Sequence, residues 1–282
     1  MALAIEASMQ QQLPLNSVYF YLLLYFGTVL FYTYAYIQDK SSKSTNPRNN
    51  WYIKNHPAIK TSQFILIVIC AGLSVYLLLK NLKGLQDISP LQLLPLVLAA
   101  FTAIAYYGIP FGLHTKINLR RTGWFKPFAI GFVWATGVTY APVLWHEAES
   151  NAAYHFSSFN TWFFIKNLMY ISLLAILFDI KDYAADHNKQ LKTFVVQMGL
   201  RKTIFYIIIP LTIAGFLSLI AFAYSLHFPL LRIIINSIPF ILLILVAWSL
   251  QRRKSILYYL VVIDGLMLVK ALCGITASLL VK

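Results

Sequence analysis

The sequence predicts an all-α, polytopic integral membrane protein that forms a single transmembrane helical domain over residues 1–282. Of its residues, 59% are hydrophobic and only 11% are charged, whereas a soluble domain carries about a quarter charged residues. The hydrophobic residues come in runs of roughly 20, long enough to cross about 30 Å of hydrocarbon as a helix. Lipid offers the backbone no hydrogen-bond partners, so we expect these runs to be helical.

Eight apolar runs are long enough to be predicted as membrane spans. They cover residues 17–37, 61–80, 91–108, 124–144, 160–178, 203–226, 229–250 and 255–281. The regular alternation of apolar and polar residues that is typical of membrane β-barrels does not occur. The length of the chain favours one bundle over several domains.

Lysine and arginine are distributed unevenly among the loops between these runs. Counting Lys126 with the second of them, the loops 38–60, 109–123, 179–202 and 251–254 hold seventeen basic residues. The loops 80–90, 145–159 and 226–229 hold two. Because basic loops stay on the cytoplasmic side, the four basic loops are predicted to be cytoplasmic, in a plasma (inner) membrane protein.

The net charge of +14 is explained by this loop asymmetry. Nucleic-acid binding would require the charges to cluster on one polar surface, and here they alternate from loop to loop. We therefore expect the lipid bilayer, and not nucleic acid, to be a partner of this chain.

Four charged residues fall inside the apolar runs: Lys166, Arg232, Asp264 and Lys270. Charged side chains within membrane spans are rare and are candidates for a functional site. Asp264, Lys270 and Lys166 could form the relay of a transporter. Arg232 lies near the end of its run, so its side chain could instead extend outward to the membrane surface.

Three of the nine acidic residues lie within eight positions, at Asp179, Asp182 and Asp186. On a helix that continues past the span, the spacing i, i+3, i+7 puts all three carboxylates on one face. Their repulsion would be relieved by a bound cation, and carboxylate oxygens suit Mg²⁺. Alternatively, this segment is a solvated loop whose aspartates pair with neighbouring lysines.

The segment DIKDYAADHNKQLKTFVVQMGLRKT resembles the second aspartate-rich motif of the UbiA-type intramembrane prenyltransferases, which reads D-x-x-D-x-x-x-D and continues through a basic stretch and a threonine to a glycine. The matching residues are Asp179, Asp182, Asp186, Lys192, Thr193 and Gly199. Upstream, YYGIPFGLHTKINLRRTGWFKP and the following span, with Trp134 and Pro142, are similar to the family's third cytoplasmic segment.

The first aspartate motif of that family, N-D-x-x-D-x-x-x-D, is degenerate in this chain. The corresponding segment reads TYAYIQDKSSK, where only Asp39 remains and Tyr36 and Lys43 stand at the flanking positions. The resemblance implies that Asp39 joins the three aspartates of the second motif in holding Mg²⁺ and in catalysis.

The resemblance further implies a Mg²⁺-dependent transfer of an isoprenyl group from a prenyl diphosphate to a lipophilic, possibly aromatic, acceptor. Basic residues on the same side of the membrane would then contact the diphosphate. The candidates are Lys116, Arg120, Arg121 and Lys192. A homologue that binds a prenyl or lipid diphosphate without turnover, and less favourably a transporter, are the alternatives.

The first sixteen residues, MALAIEASMQQQLPLN, contain an apolar stretch that is too short to cross a bilayer. Nine spans are typical of the resembled family, so these residues are expected to be the outer end of a further span and its external loop. The alternative is an eight-span protein with an external N-terminal tail.

Overall fold

The computed structural model describes most of the chain. The described residues are 1–38, 47–107, 109–111, 115–117, 119, 122–151, 153–154, 156–188, 190–252 and 254–280.

Helices account for nearly all of the secondary structure in these ranges. They are α1 (Ala2–Gln10), α2 (Val18–Gln38), α3 (Pro47–Lys54), α4 (His56–Lys80), α5 (Leu82–Asp87), α6 (Pro90–Tyr107), α7 (Lys126–Ala135), α8 (Ala141–Ser150), α9 (Ser158–Asn188), α10 (Phe194–Met198), α11 (Leu200–Lys202), α12 (Ile209–Ser225), α13 (Leu230–Ser249), α14 (Ile256–Tyr258) and α15 (Asp264–Leu280). π-helical turns join α7 to α8 (Thr136–Tyr140), α11 to α12 (Thr203–Ile208) and α14 to α15 (Tyr259–Ile263).

Every predicted span coincides with an apolar helix or a continuous pair of helices. Six are long and apolar enough to cross a membrane, and the apolar stretches Val18–Tyr34 and Pro90–Tyr106 are shorter. The described part of the chain is therefore a helical membrane protein with six such helices, and the count of eight spans stays a prediction. Within the predicted loop 179–202, α9 continues to Asn188, so the aspartate segment has the helical form and not the alternative of a solvated loop.

A short β-hairpin lies within the predicted basic loop 109–123. Its strands, β1 (Ile109–Phe111) and β2 (Thr115–Ile117), pair antiparallel with Pro110 opposite Lys116. The hairpin is an addition to the all-helical prediction. It follows α6 directly along the chain and precedes α7.

Large apolar side chains are exposed along several of the apolar helices. Examples are Leu91, Leu230 and Leu79, which are 76%, 71% and 71% exposed. Contiguous exposed apolar surface is unfavourable in water and favourable against lipid tails. The exposure pattern thus agrees with a bilayer around these helices.

Residues 16–89 and 145–153 form one compact unit, in which α2 packs against α4. The carboxylate of Glu149 accepts hydrogen bonds from the Ser17 backbone N–H (2.9 Å) and the Trp145 indole N–H (2.8 Å). Ser17 immediately precedes α2, so this carboxylate satisfies a backbone donor at the helix start.

Residues 2–15, 90–144 and 154–282 form the second, larger unit. Its core is built on α9, and the buried residues Leu174, Ile204, Leu243 and Ile263 come from four different helical segments. α7 packs along α9, α13 packs against α15, and α1 packs against α15. The first and last helices of the chain are therefore neighbours.

The N-terminal residues form a buried helix and not a solvated tail. Leu3, Ala4, Glu6 and Ala7 of α1 are all buried. A Schellman-type ending closes α1: Leu13 N–H donates to Ser8 C=O at 2.9 Å, and Gln12 has φ +58°. Glu6 is 1% exposed, and the external location of these residues stays a prediction.

α7 and α9 approach each other closely at Gly131. A Cβ atom at this position would lie 2.1 Å from Ser172 Oγ and 2.9 Å from the Leu168 carbonyl oxygen. Only glycine allows this separation of the two helices. Gly137, in the π-helical turn after α7, has no such neighbour within 4 Å.

We predict that Gly131→Ala destabilises the protein by about 1–3 kcal/mol, because the added methyl group must push α7 away from the α9 backbone. Gly137→Ala is the matched control and should change the free energy of unfolding by no more than about 1 kcal/mol in either direction. Thermal unfolding in detergent measures both. Equal effects of the two substitutions would contradict the close approach.

Candidate functional site

The close packing of α7 on α9 brings a lysine and an aspartate together. Lys126 is the first residue of α7, and Asp179 lies about two helical turns beyond Ser172 on α9. Lys126 Nζ donates to Asp179 Oδ1 at 2.5 Å. The two side chains are 16% and 2% exposed. This buried ion pair is the centre of the candidate site.

Asp179 is not fully satisfied by this lysine. Its Oδ2 atom is buried and has no hydrogen-bond partner among the described residues. Asp186, two turns further along α9, is also buried at 7% exposure and interacts electrostatically with both Lys126 and Asp179. Two buried carboxylates therefore interact with the ammonium of Lys126 at this end of α9.

Asp182 differs from the other two aspartates in exposure. Its side chain is 46% exposed, and its ion pair with the partly exposed Lys181 spans 3.6 Å, so this ion pair contributes little to stability. The three carboxylates were expected to share one face of a continuing helix, and all three lie on α9. Asp179 and Asp186 occupy the buried part of the face, and Asp182 lies at its edge. We call Asp179, Asp182, Asp186 and Lys126 the acidic cluster.

Backbone hydrogen bonds stabilise the end of α9 that carries Asp186. Leu191 N–H donates to the Asp186 carbonyl at 2.9 Å, and Gln190 N–H donates to the His187 carbonyl at 3.0 Å. Gln190 has φ +54°. These two bonds form a Schellman motif, which ends α9 and fixes the position of Asp186 relative to the turn that follows.

The structure describes only some of the predicted diphosphate contacts, and the remaining aspartate of the first motif is not among the described residues. Lys192 is described and exposed in the turn between α9 and α10. Lys116 is described only through its backbone in β2. Asp39, Arg120 and Arg121 lie outside the described residues.

The acidic cluster suits a hard cation in its donor type. Mg²⁺ commonly takes one or two protein carboxylates and completes its shell with waters and phosphate oxygens, so the buried Asp179 and Asp186 are a sufficient protein contribution. The described residues contain no group of three or more His, Cys, Asp or Glu side chains arranged around a metal position.

A second set of charged residues, which we call the interior charge cluster, consists of Glu6, Lys166, Arg232 and Lys270. Lys270 Nζ donates to Glu6 Oε2 at 2.7 Å, and the side chains are 6% and 1% exposed. Lys166 interacts electrostatically with the other three. Its ammonium lies 4.2 Å from the Phe163 ring centroid, a cation–π contact.

Arg232 is buried, so the expectation that it extends to the membrane surface is wrong. It is 7% exposed, and its guanidinium donates to Gln10 Oε1 at 2.9 Å and lies 4.0 Å from the Phe228 ring centroid. Gln10 also donates to the Gly274 carbonyl at 2.9 Å. Gln10 thereby ties α1 to α13 and α15.

The three residues of the transporter hypothesis lie in different environments. Lys270 is paired with Glu6, Lys166 is buried against aromatic rings, and Asp264 is exposed at the start of α15. Two of the three belong to the interior charge cluster.

Sequence reasoning missed the roles of Lys126 and Glu6. Lys126 was grouped with the charges of a basic loop, and its distance of 53 positions from Asp179 left no signal of their pairing. For Glu6 a signal existed: an acidic residue within MALAIEA, with Gln10 four positions later on the same helical face. That spacing indicates a polar stripe facing a partner.

The apolar helices define the class of protein: the chain is a helical integral membrane protein. No protein-family model, no curated protein and no solved structure matches it.

Proposed function

We propose that this protein is a UbiA-like prenyltransferase that binds the diphosphate of a prenyl diphosphate at the acidic cluster. The observation that carries the proposal is the end of α9, where the buried carboxylates of Asp179 and Asp186 both interact with Lys126. Asp179 and Asp186 would hold a divalent cation, which would offset the negative charge of the diphosphate. The four basic loops, on this proposal, face the cytoplasm.

The reaction requires the bond between the allylic carbon and a diphosphate oxygen to break, with the electron pair leaving on the diphosphate. The acceptor then forms a bond to that carbon and loses a proton. Mg²⁺, when bound, would neutralise the charge that develops on the leaving diphosphate. Asp179 and Asp186 would orient the cation, and the apolar helices would exclude water. The acceptor would be a lipophilic molecule that reaches the site through the membrane.

A second candidate function is binding of a prenyl or lipid diphosphate without turnover. It is favoured by Lys126, whose ammonium already donates a hydrogen bond to Asp179 Oδ1 at 2.5 Å. A lysine at this position provides part of the charge that a second metal ion would otherwise supply. The degenerate first motif around Asp39 agrees with this candidate.

Prenyl diphosphate binding tests the proposal directly. Purified protein in nanodiscs is incubated with labelled geranyl, farnesyl and geranylgeranyl diphosphates, with and without Mg²⁺. We expect saturable binding that requires Mg²⁺ and falls at least tenfold in Asp179→Asn, since one charged ligand is lost; about tenfold corresponds to 1.4 kcal/mol. Asp182→Asn should have a smaller effect, because this carboxylate is exposed to solvent.

Asp87→Asn is the matched control, because it makes the same chemical change at an exposed aspartate of the other compact unit. Addition of a membrane lipid extract then separates the two candidates. Transfer of the label to a lipid product with release of diphosphate indicates turnover, and binding without product indicates the second candidate. Binding that is independent of Mg²⁺ and unchanged in Asp179→Asn would contradict both.

A further inference from the structure

A cavity of about 270 Å³ lies within the larger unit, on the opposite part of α9 from the acidic cluster. Leu94, Pro95 and Leu98 of α6 form its entrance, and Leu94 and Leu98 are about half exposed. A cavity of about 150 Å³ holds a benzene ring, so this cavity has room for a ring with a short substituent.

Aromatic side chains make up much of the cavity wall. Phe132, Tyr140, Phe156 and Phe164 contribute rings, and Tyr140 is stacked on Phe156 with a centroid distance of 4.9 Å. The Tyr140 hydroxyl donates to the Gln92 carbonyl at 2.7 Å, which holds this ring in place. Flat aromatic walls favour a flat, apolar guest.

One end of the cavity is polar, at Gln11, Thr139 and Asn160. The side chain of Asn160 uses all of its hydrogen-bonding capacity. Its amide donates to Gln11 Oε1 (2.7 Å) and Tyr154 Oη (2.9 Å), and its carbonyl oxygen accepts two hydrogen bonds from Ser157. It has no capacity left for a ligand.

Gln11 and Thr139 each keep one unused hydrogen-bonding site. The Gln11 amide donates to the Ala7 and Thr139 carbonyls, while its Oε1 accepts from Asn160 and, within the described ranges, from no other group. Thr139 Oγ1 accepts from Asn167 at 2.7 Å, and among the described residues its hydroxyl hydrogen has no acceptor. The polar end therefore offers one donor and one acceptor. A hydroxyl group, which both donates and accepts, is complementary to this pair.

We propose that this cavity is a binding site for a small phenol: an apolar aromatic ring that carries one hydroxyl group. The hydroxyl accepts from Thr139 and donates to Gln11, and the ring lies against Tyr140 and its aromatic neighbours. Asn160 and Asp179 are nineteen residues apart on the continuous α9, which is about 28 Å at 1.5 Å per residue. The phenol site is thus separate from the acidic cluster and does not rest on the proposed function.

Binding of para-propylphenol, compared with propylbenzene, tests this site. Equilibrium dialysis against protein in nanodiscs, corrected with empty nanodiscs, measures saturable binding of each compound. We expect the phenol to bind about tenfold more tightly, as two hydrogen bonds to buried groups would give. Thr139→Val removes one of the two hydrogen bonds and should reduce that preference to about threefold. Leu98→Trp, which fills the entrance from an exposed position, should abolish the binding of both compounds.

Thr212→Val is the matched control, since Thr212 is a buried threonine on α12 whose hydroxyl donates to the Ile208 carbonyl at 2.7 Å. It should leave both affinities unchanged. The proposal is overturned if neither compound binds saturably above empty nanodiscs, or if the preference for the phenol stays about tenfold in Thr139→Val. A loss of the preference in Thr212→Val equal to that in Thr139→Val would overturn it as well.

Discussion

Glu6→Gln is expected to reduce the free energy of unfolding by about 3–5 kcal/mol, because it leaves the ammonium of Lys270 buried without its counter-ion. The carboxylate and the ammonium are 2.7 Å apart and almost fully buried. Glu6 is also the sole anion of the interior charge cluster, in which Lys166 and Arg232 add two further cations. The substitution therefore raises the net charge of this cluster from +2 to +3.

Lys270→Met should be less harmful than Glu6→Gln. It lowers the net charge of the cluster to +1 and leaves Glu6 close to Lys166. The double variant restores the original net charge, so its stability should exceed that of Glu6→Gln alone. Unfolding in mixed micelles by titration with denaturing detergent gives the three values.

Lys181→Met is the control for removal of a lysine from an ion pair. Its partner Asp182 is exposed and 3.6 Å away, so we expect a change of no more than about 1 kcal/mol. The opposite order, with Lys270→Met more damaging than Glu6→Gln, would show that the excess of positive charge is not what makes Glu6 important.

Lys126→Met is expected to be the most informative change at the acidic cluster. It leaves the buried Asp179 without the ammonium that pairs with it, which should lower the free energy of unfolding by about 3–5 kcal/mol in the absence of divalent ions. If the two aspartates bind Mg²⁺, then Mg²⁺ at about 100 times its dissociation constant should raise the free energy of unfolding of this variant by about 2.7 kcal/mol. Thermal unfolding with and without Mg²⁺ measures both effects.

The wild-type protein should respond less to Mg²⁺ than Lys126→Met, because Lys126 competes for Asp179 Oδ1. The double variant with Asp179→Asn should lose the additional response. Lys192→Met is the control, since it removes an exposed cation that follows the same helix along the chain. Absence of any Mg²⁺ response in Lys126→Met would contradict metal binding by these aspartates and would favour a site neutralised by lysine alone.

The positions of the helices were predictable from the sequence because a membrane imposes a length requirement on each apolar run. Residues 203–226 were predicted as a span, and the continuous helix Leu200–Ser225 lies there. The end of α9 was harder to locate. Hydropathy falls at Asp179, but the backbone stays helical to Asn188, because helix formation depends on local hydrogen bonds and not on hydrophobicity.

The pairing of charges was decided only by the tertiary structure. Glu6 and Lys270 are 264 positions apart, and they meet because α1 packs against α15, where a Cβ on Gly274 would lie 2.3 Å from Glu6 Cγ. The sequence alone established that this is a helical membrane protein with a rare aspartate cluster. Which carboxylates are buried, and which lysine neutralises them, depends on how closely the helices approach, and residue spacing within one helix carries no information about that distance.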